Sequence, residues 1–530
     1  MTEYDYIIVG AGSAGCVLAN RLSASGRHRV LLLEAGGSDR RPWLQVPIGY
    51  GKAFYDPRVN WMYLTEPDPG LDSRQGYWPR GKVLGGSSAI NAMVYVRGHP
   101  QDFDDWQAAG NPGWGWAGVE PYFHRAEHAT GGPLHVSDVA GDLHPLCARY
   151  LAAGEALGFA RNPDFNGHSF EGVGLYRITT KGGRRMSAAR AYLWPALRRR
   201  NLRVETHAQA TRLRFAGRRA TGVDYRRHGV AQAATARREV ILAAGSIGSP
   251  LLLQLSGIGP APLLARLGLA VLHDSPSVGR NLQDHLCIDH LYRATVPTLN
   301  QELLPWWGKL RAGLLYALWR RGPLALSVNQ GGGFVRSRPG PARPDMQLYF
   351  SPVSYTRAVP GKRALMSPDP FPGFLLSAQP CRPASRGHLE LRAPDPLAPP
   401  VIHPNSLAAE SDLEDLLAGA RLLRRLAATE ALSAVIEREL KPGLEAQSDA
   451  ALIADIRARA STVFHPVGTC AMGPTGVVDE RLNVRGLAGL RVIDASIFPS
   501  LTSGNTNAPT IMVAEKGAEL VLADAAGAGN

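Results

Sequence analysis

Three glycines, Gly10, Gly12 and Gly15, fall in the pattern G-x-G-x-x-G directly after the apolar run YDYIIV and directly before CVLANRLSASG. With the second apolar run HRVLLLEAG they read as strand, glycine turn, helix and strand, one βαβ unit over residues 4–35. No other segment constrains the fold as much, because parallel strands need a crossover and a sheet with helices on its faces. The three glycines permit, in turn, a tight bend, close backbone approach to a pyrophosphate, and packing of helix on strand. The helix N-terminus adds amide hydrogens and the positive end of its dipole. Glu34, 19 residues beyond Gly15 at the end of the second strand, can accept hydrogen bonds from a ribose diol. An acid there opposes a phosphate on the ribose, so NADP is disfavoured while NAD and FAD stay open.

A chain of 530 residues exceeds what one core readily supports, so one very large domain or two interwoven ones are expected. REVILAAG (238–245) and LRVIDAS (490–496) are further parallel-strand candidates, which brings strands of one sheet from both ends and the middle of the chain. The nucleotide domain is therefore expected to be discontinuous, with a second domain drawn chiefly from residues 291–460. Residues 411–434 carry Leu413, Leu416, Leu417, Ala420 and Leu423 at helical spacing and predict a packed helix. The longest uncharged stretch, 240–265, reaches spanning length, but Pro250, Pro260, Pro262 and its glycines break it into a buried strand and loops.

The net charge of +13 is concentrated: 17 cations between Arg177 and Arg238 meet only Glu205 and Asp224, a local +15. No nucleic-acid motif accompanies that charge, so nucleic acid is not an expected partner and an arginine-rich solvated surface is the plain reading. Anionic lipid is the alternative. Five cysteines, far apart and without a C-x-x-C, indicate neither disulfides nor a metal site, and so a reducing compartment. MTEYDYIIVG lacks the basic start and long apolar region of a signal peptide, which predicts a cytoplasmic protein beginning at Met1.

The choice between NAD and FAD comes from YWPRGKVLGGSSAINAMVYVRGH, residues 77–99, whose glycines and serines offer amides and hydroxyls to a second phosphate or a flavin edge. This segment resembles the first signature of the glucose-methanol-choline (GMC) oxidoreductase family, and the N-terminal fingerprint resembles that family's FAD site. HPVGTCAMG (465–473) with DASIFPSLTSGNTNAPTIMVAEK (494–516) resembles its C-terminal signature. Further likeness at AAGSIGSPLLLQLSGIGP (243–260) and HPNSL (403–407) extends the match in family order over essentially the whole chain.

The resemblance implies an α/β fold with a discontinuous Rossmann-like FAD-binding domain over residues 1–155, 195–290 and 461–530. A second, α+β substrate domain built on an antiparallel sheet would take residues 156–194 and 291–460. Implied cofactor contacts are Gly10, Gly12, Ser13, Ala14, Gly15, Glu34 and Ala35, then Arg80, Val83, Gly85, Gly86, Ser87, Asn91 and Ala92. Ala210, Ala244, Asp494, Ala495, Asn507 and Ala508 complete the set. Members that tether flavin through histidine place it within the segment that reads SSAIN here, at the position of Ile90. Isoleucine cannot form that bond, so FAD is expected to be non-covalent.

His465 is the expected base, an imidazole able to take a hydroxyl proton as the substrate carbon loses hydride. Its family partner, a second His or an Asn, corresponds to Asn505 rather than Asn507, counting back from Ala514 and Glu515; an amide there hydrogen-bonds the developing alkoxide. The other fourteen histidines are expected to be structural. The implied activity is FAD-dependent oxidation of a primary alcohol to an aldehyde, nearest the bacterial choline dehydrogenase and aliphatic alcohol dehydrogenase branch. A choline-type cation needs an aromatic cage or a carboxylate. SVNQGGGF (327–334), expected to line the cavity, carries no acid, which favours a neutral alcohol. Choline oxidation, an oxygen-using alcohol oxidase and a non-redox hydroxynitrile lyase are the alternatives. Quinone or oxygen is the expected acceptor, and the +15 segment is the candidate for peripheral, salt-sensitive contact at the inner membrane face.

Overall fold

The computed structural model describes residues 3–356 and 367–527. The expected start at Met1, residues 357–366 of the expected second domain and residues 528–530 of the first lie outside the described residues. Unbroken runs of Val, Ile and Leu make strands that must be covered on both faces. Such runs form the end of Glu3–Val9, all of Val30–Leu33 and the end of Val230–Leu242, and they are buried throughout. From edge to edge the sheet runs Leu202–Glu205, Val30–Leu33, Glu3–Val9, Val230–Leu242, Arg219–Arg227, Ala208–Ala216. Leu490–Val492 joins in parallel on the last residues of Val230–Leu242, pairing Val240 with Leu490 and Leu242 with Val492. The first residues of that long strand instead turn back into an antiparallel meander. Both parallel strands expected beyond the first βαβ unit are thus present, and the two chain ends and the middle meet in one sheet.

Helix Ser13–Leu22 and the C-terminal helix Asn507–Gly527 share the core over this sheet, where Val17 and Leu18 belong with Ile511 and Ala514. Arg21 forks onto the buried Glu515 carboxylate with two hydrogen bonds of 2.7 Å. The strand ends converge on one crevice. Gly10 follows Val9, Glu34 follows Leu33, Ala243 and Ala244 follow Leu242, and Asp494 lies just past Val492.

Residues 240–265 depart from the expected strand and loops. After Leu242 the chain enters a helix, Gly245–Leu255, with Pro250 inside it. Burial of Ile247, Leu252 and Leu253 outweighs the one backbone hydrogen bond that a proline removes.

The second sheet is antiparallel, in the order Ile436–Lys441, Leu286–Ala294, Gly373–Pro380, Met346–Ser351, Gly331–Val335, Gly172–Leu175. Helix Glu410–Ala428 lays Leu416, Ala420 and Leu423 against Leu376 and Ala378. The helix expected over 411–434 is broken at Thr429, after which a separate turn spans Glu430–Ser433. Helix Leu146–Ala156 also packs Tyr150 and Leu151 into this second core. Strand Leu286–Ala294 begins at the crevice of the first sheet and ends in the second, so it carries residues 284–287 to the junction.

Part of the charge in 177–238 is neutralised at close range. Arg177 meets Asp164 at 2.8 Å, Arg203 and Arg227 meet Glu205 at 3.2 and 3.7 Å, and Arg237 meets Asp5 at 3.2 Å.

Candidate active site

A cavity of about 890 Å³ lies between the crevice of the first sheet and the face of the second. Most of the expected cofactor residues line it: Gly10, Gly12, Ser13, Ala14, Glu34, Ala35, Arg80, Gly86, Ser87, Asn91, Ala92, Ala210, Ala244, Asp494, Ala495 and Asn507. Gly15, Val83, Gly85 and Ala508 stand behind the wall instead. Gly15 seats the helix on the turn, the Gly85 amide donates to the Ala11 carbonyl at 2.7 Å, and Val83 and Ala508 are core.

Each wall is fixed by its own hydrogen bonds. Glu34 accepts from the amides of Ala11 at 2.9 Å and Gly36 at 2.8 Å, and burial lifts its carboxyl to about 7. Ser13 Oγ donates to Asn507 Oδ1 at 2.8 Å, joining the starts of the N-terminal and C-terminal helices at the cavity. Asp494 accepts from the Gly245 amide, the Ser249 hydroxyl and the Ser496 amide. The two glycine-rich segments meet backbone to backbone, since a Cβ on Gly86 would stand 2.6 Å from the Gly12 Cα. A Cβ on Gly12 would meet no protein atom nearer than 3.9 Å. Open space over bare backbone at a helix start is what a pyrophosphate requires, so the residues fit an adenine dinucleotide.

His465 and Asn505 also line the cavity, brought together from residues far apart in sequence. Asn505 Nδ2 lies 3.1 Å from His465 Nε2, and His285 Nδ1 lies 3.0 Å from His465 Nδ1. Protons can be assigned along this line. His285 Nε2 is 2.9 Å from the Cys381 carbonyl, which only accepts, so His285 carries its proton on Nε2. Burial holds the His285 imidazole at about 4, hence neutral, and its Nδ1 is an acceptor. His465 therefore donates from Nδ1, and its Nε2 lone pair faces the Asn505 amide. The amide orientation is set independently: Gln347 Nε2 donates to Asn505 Oδ1 at 3.3 Å, and Gln379 donates to Gln347 Oε1 at 2.9 Å. Burial, then His285 and Arg80, push the His465 pKa well below its ordinary value.

The backbone that aims His465 is strained. Phe464 has φ +72°, the left-handed region unusual for an aromatic residue. Three contacts hold it: the Phe464 amide donates to Thr462 Oγ1 at 2.7 Å, Arg80 donates to the Phe464 carbonyl at 2.6 Å, and the His465 amide donates to Asp284 Oδ1 at 2.7 Å. Asp284 also accepts from the His285 amide and the Thr462 hydroxyl. Burial raises it to about 6 and lowers Arg80 to about 10. Asp284, His285 and Gln347 escape sequence reasoning. The adjacent acid and imidazole in NLQDHL were the available signal for the first two, whereas nothing in the sequence marks Gln347.

Only Val328 and Asn329 of the segment SVNQGGGF reach the cavity, and the wider wall includes Asp284 and Asp289. The aromatic wall holds Trp61 and Tyr63, stacked with centroids 5.9 Å apart, and Lys82 Nζ sits 4.4 Å over the Trp61 ring.

This crevice, with His465 and Asn505 on its wall and the second sheet over it, fits a flavin-dependent oxidoreductase. Residues 4–287 and 383–514 match the N-terminal and C-terminal parts of the family described as GMC oxidoreductase, and the chain belongs to that family, whose members bind FAD. It is 43% identical over 534 residues to an alcohol dehydrogenase [acceptor] of Pseudomonas putida, covering 98% of this chain and 96% of that one. It is 45% identical over 541 residues to the mitochondrial choline dehydrogenase of Homo sapiens, covering 98% and 90%. Among solved structures, the pyridoxine 4-oxidase from Mesorbium loti superposes with a TM-score of 0.87 at 32% identity, covering 97% of this chain and 98% of that one. The choice of FAD over NAD and the family resemblance read from residues 77–99 are both borne out.

Proposed function

We propose that the protein oxidises a neutral primary alcohol to the aldehyde, with His465 Nε2 as the base and Asn505 as donor to the alkoxide oxygen. Bound FAD supplies the hydride acceptor. The observation that carries this reading is the proton order along Cys381, His285 and His465, which leaves one lone pair, on Nε2, facing a fixed amide donor. An alcohol oxygen entering there exchanges the Asn505–His465 bond for two: its hydroxyl donates to Nε2 and it accepts from Nδ2. His285 acts as a positioning residue, holding the tautomer. Lys82 over Trp61 opposes a quaternary cation at that ring and supports a neutral alcohol; Asp284, Asp289, Phe54, Tyr55 and Tyr77 also line the cavity, so choline belongs in the alcohol panel.

A panel of alcohols, assayed with oxygen and with an artificial dye, identifies the substrate. Anaerobic bleaching of the flavin by an alcohol is expected, and an unchanged oxidised spectrum under every alcohol tested would favour lyase chemistry. A quinone or dye is expected to turn the enzyme over faster than oxygen does; equal turnover with oxygen and stoichiometric hydrogen peroxide would make it an oxidase.

FAD is proposed to be non-covalent, because the cavity-lining Ile90 stands where a tether would be. Acid precipitation is expected to leave the yellow colour in the supernatant. A cytoplasmic setting is supported by five buried cysteines, none of which forms a disulfide. No helix among the described residues is long and apolar enough to cross a membrane, so any membrane contact is proposed as peripheral. The division into an FAD domain (1–155, 195–290, 461–530) and a substrate domain (156–194, 291–460) is supported by the two sheets, with helix Leu146–Ala156 and the first residues of strand Leu286–Ala294 better placed in the second.

A further inference from the structure

Helix Trp306–Trp319 turns most of its apolar surface outward. Its buried stripe is only Gly308, Ala312 and Tyr316, at a spacing of four. Trp306, Trp307, Leu310, Leu314, Leu318 and Trp319 are each between 51% and 76% exposed. At 3.6 residues per turn the first five fall within an arc of roughly 120°, with Lys309 and Arg311 on its two borders; Trp319, in the last turn, lies off this arc. Single exposed apolar residues are ordinary, but a continuous face of this size marks a contact surface.

The charge around the face selects the occupant. No Asp or Glu occurs from Leu303 to Pro344, while Lys309, Arg311, Arg320 and Arg321 lie in or beside the helix. Arg321 is committed to Asp142 at 2.6 Å, but Lys309 and Arg311 are exposed. A second copy bound symmetrically through this face would set Lys309 and Arg311 against cations of the same kind. An anionic bilayer matches both features: leucines enter the acyl boundary, Trp306 and Trp307 take the interfacial layer, and the bordering cations meet lipid phosphates.

The helix is tied to the cavity. It follows helix Leu299–Leu303, whose Leu299 packs with Tyr50, Val328 and Val353, and Tyr50 and Val328 line the cavity. We propose that the Trp306–Trp319 face docks on an anionic lipid bilayer, lying flat in the headgroup layer and holding the substrate cavity beside the membrane. Membrane contact is thereby assigned to this helix and not to the arginines of 177–238.

The test is flotation of the FAD-loaded protein with vesicles of phosphatidylcholine containing a minor share of phosphatidylglycerol, and with phosphatidylcholine alone. The unaltered protein is expected to float with the anionic vesicles, less so as salt rises. Leu314→Glu/Leu318→Glu is expected to weaken that binding by more than about tenfold. Lys309→Glu/Arg311→Glu is expected to erase the preference for phosphatidylglycerol, and Arg198→Glu/Arg200→Glu in the basic segment to leave flotation unchanged. Dye-coupled alcohol oxidation without vesicles should be the same in all these variants, which shows that they fold and reads catalysis separately from docking. No flotation of the unaltered protein overturns the proposal, as does loss of binding only in Arg198→Glu/Arg200→Glu. A dimer converted to monomer by Leu314→Glu/Leu318→Glu, with no flotation of either, overturns it in favour of a second copy.

Discussion

His465→Ala is expected to keep bound FAD while anaerobic flavin reduction by a good alcohol slows about 10²- to 10⁴-fold, the range that follows loss of a general base. The alanine removes the Nε2 lone pair. The glycine-rich crevice, Glu34 and the Ser13–Asn507 bond contain no part of the imidazole, so flavin absorbance per protein should not change. Stopped-flow reduction under anaerobic conditions measures the loss, and a near-normal rate would end the assignment. The pH profile gives an independent reading of the same residue. An ordinary histidine is half protonated near 6.5, but burial pushes His465 well below that, so its free base persists as pH falls through 6.5. The rate of reduction should therefore stay on its plateau at that pH and decline only in more acidic solution. Asn505→Ala should cost less, because the base remains.

The parts of the fold legible in the sequence were those with a periodic or positional signature. The βαβ unit and the strands ending at Leu242 and Val492 carry short apolar runs, and the helix from Glu410 an apolar stripe at helical spacing, which packing obeyed as far as the break at Thr429. Helix Gly245–Leu255 did not, because Pro250 and its glycines point locally to loops while burial of Ile247, Leu252 and Leu253 decides the outcome. The site divides in the same way. His465 and Asn505 sit in dense signatures, but the proton order depends on His285, whose partners Cys381 and His465 are 96 and 180 residues away. No local pattern reports such a contact. The helix Trp306–Trp319 shows the complementary failure: its apolar content is visible in the sequence, but which residues face outward is known only once Gly308, Ala312 and Tyr316 are seen to take the inside.

Gly15→Ala should be a severely damaging change of a single methyl group in the nucleotide crevice. A Cβ on Gly15 would stand 1.8 Å from the Gly10 carbonyl oxygen, well inside any tolerable contact, and the obstacle is backbone. Gly10 cannot retreat, for it adopts φ +100°, and the Ala243 carbonyl lies behind it, 2.5 Å from where its own Cβ would be. Relief must come from opening the turn, which moves Ala11 away from Glu34 and Ser13 away from Asn507. Overpacking commonly costs about 1–3 kcal/mol, and a backbone clash with no movable side chain belongs at or beyond the upper end. Part of that cost falls on the bound state, so FAD affinity is expected to drop by about a hundredfold or more. Gly12→Ala is the informative comparison. Its methyl would meet no protein atom nearer than 3.9 Å, so the apoprotein should keep its thermal stability while the methyl occupies space facing the cavity and weakens FAD binding. Titrating each apoprotein with FAD, alongside thermal melts without cofactor, separates the two. Gly15→Ala should lose both stability and affinity, Gly12→Ala affinity alone. Stoichiometric FAD and an unshifted melt in Gly15→Ala would mean that the crevice yields where backbone packing forbids it.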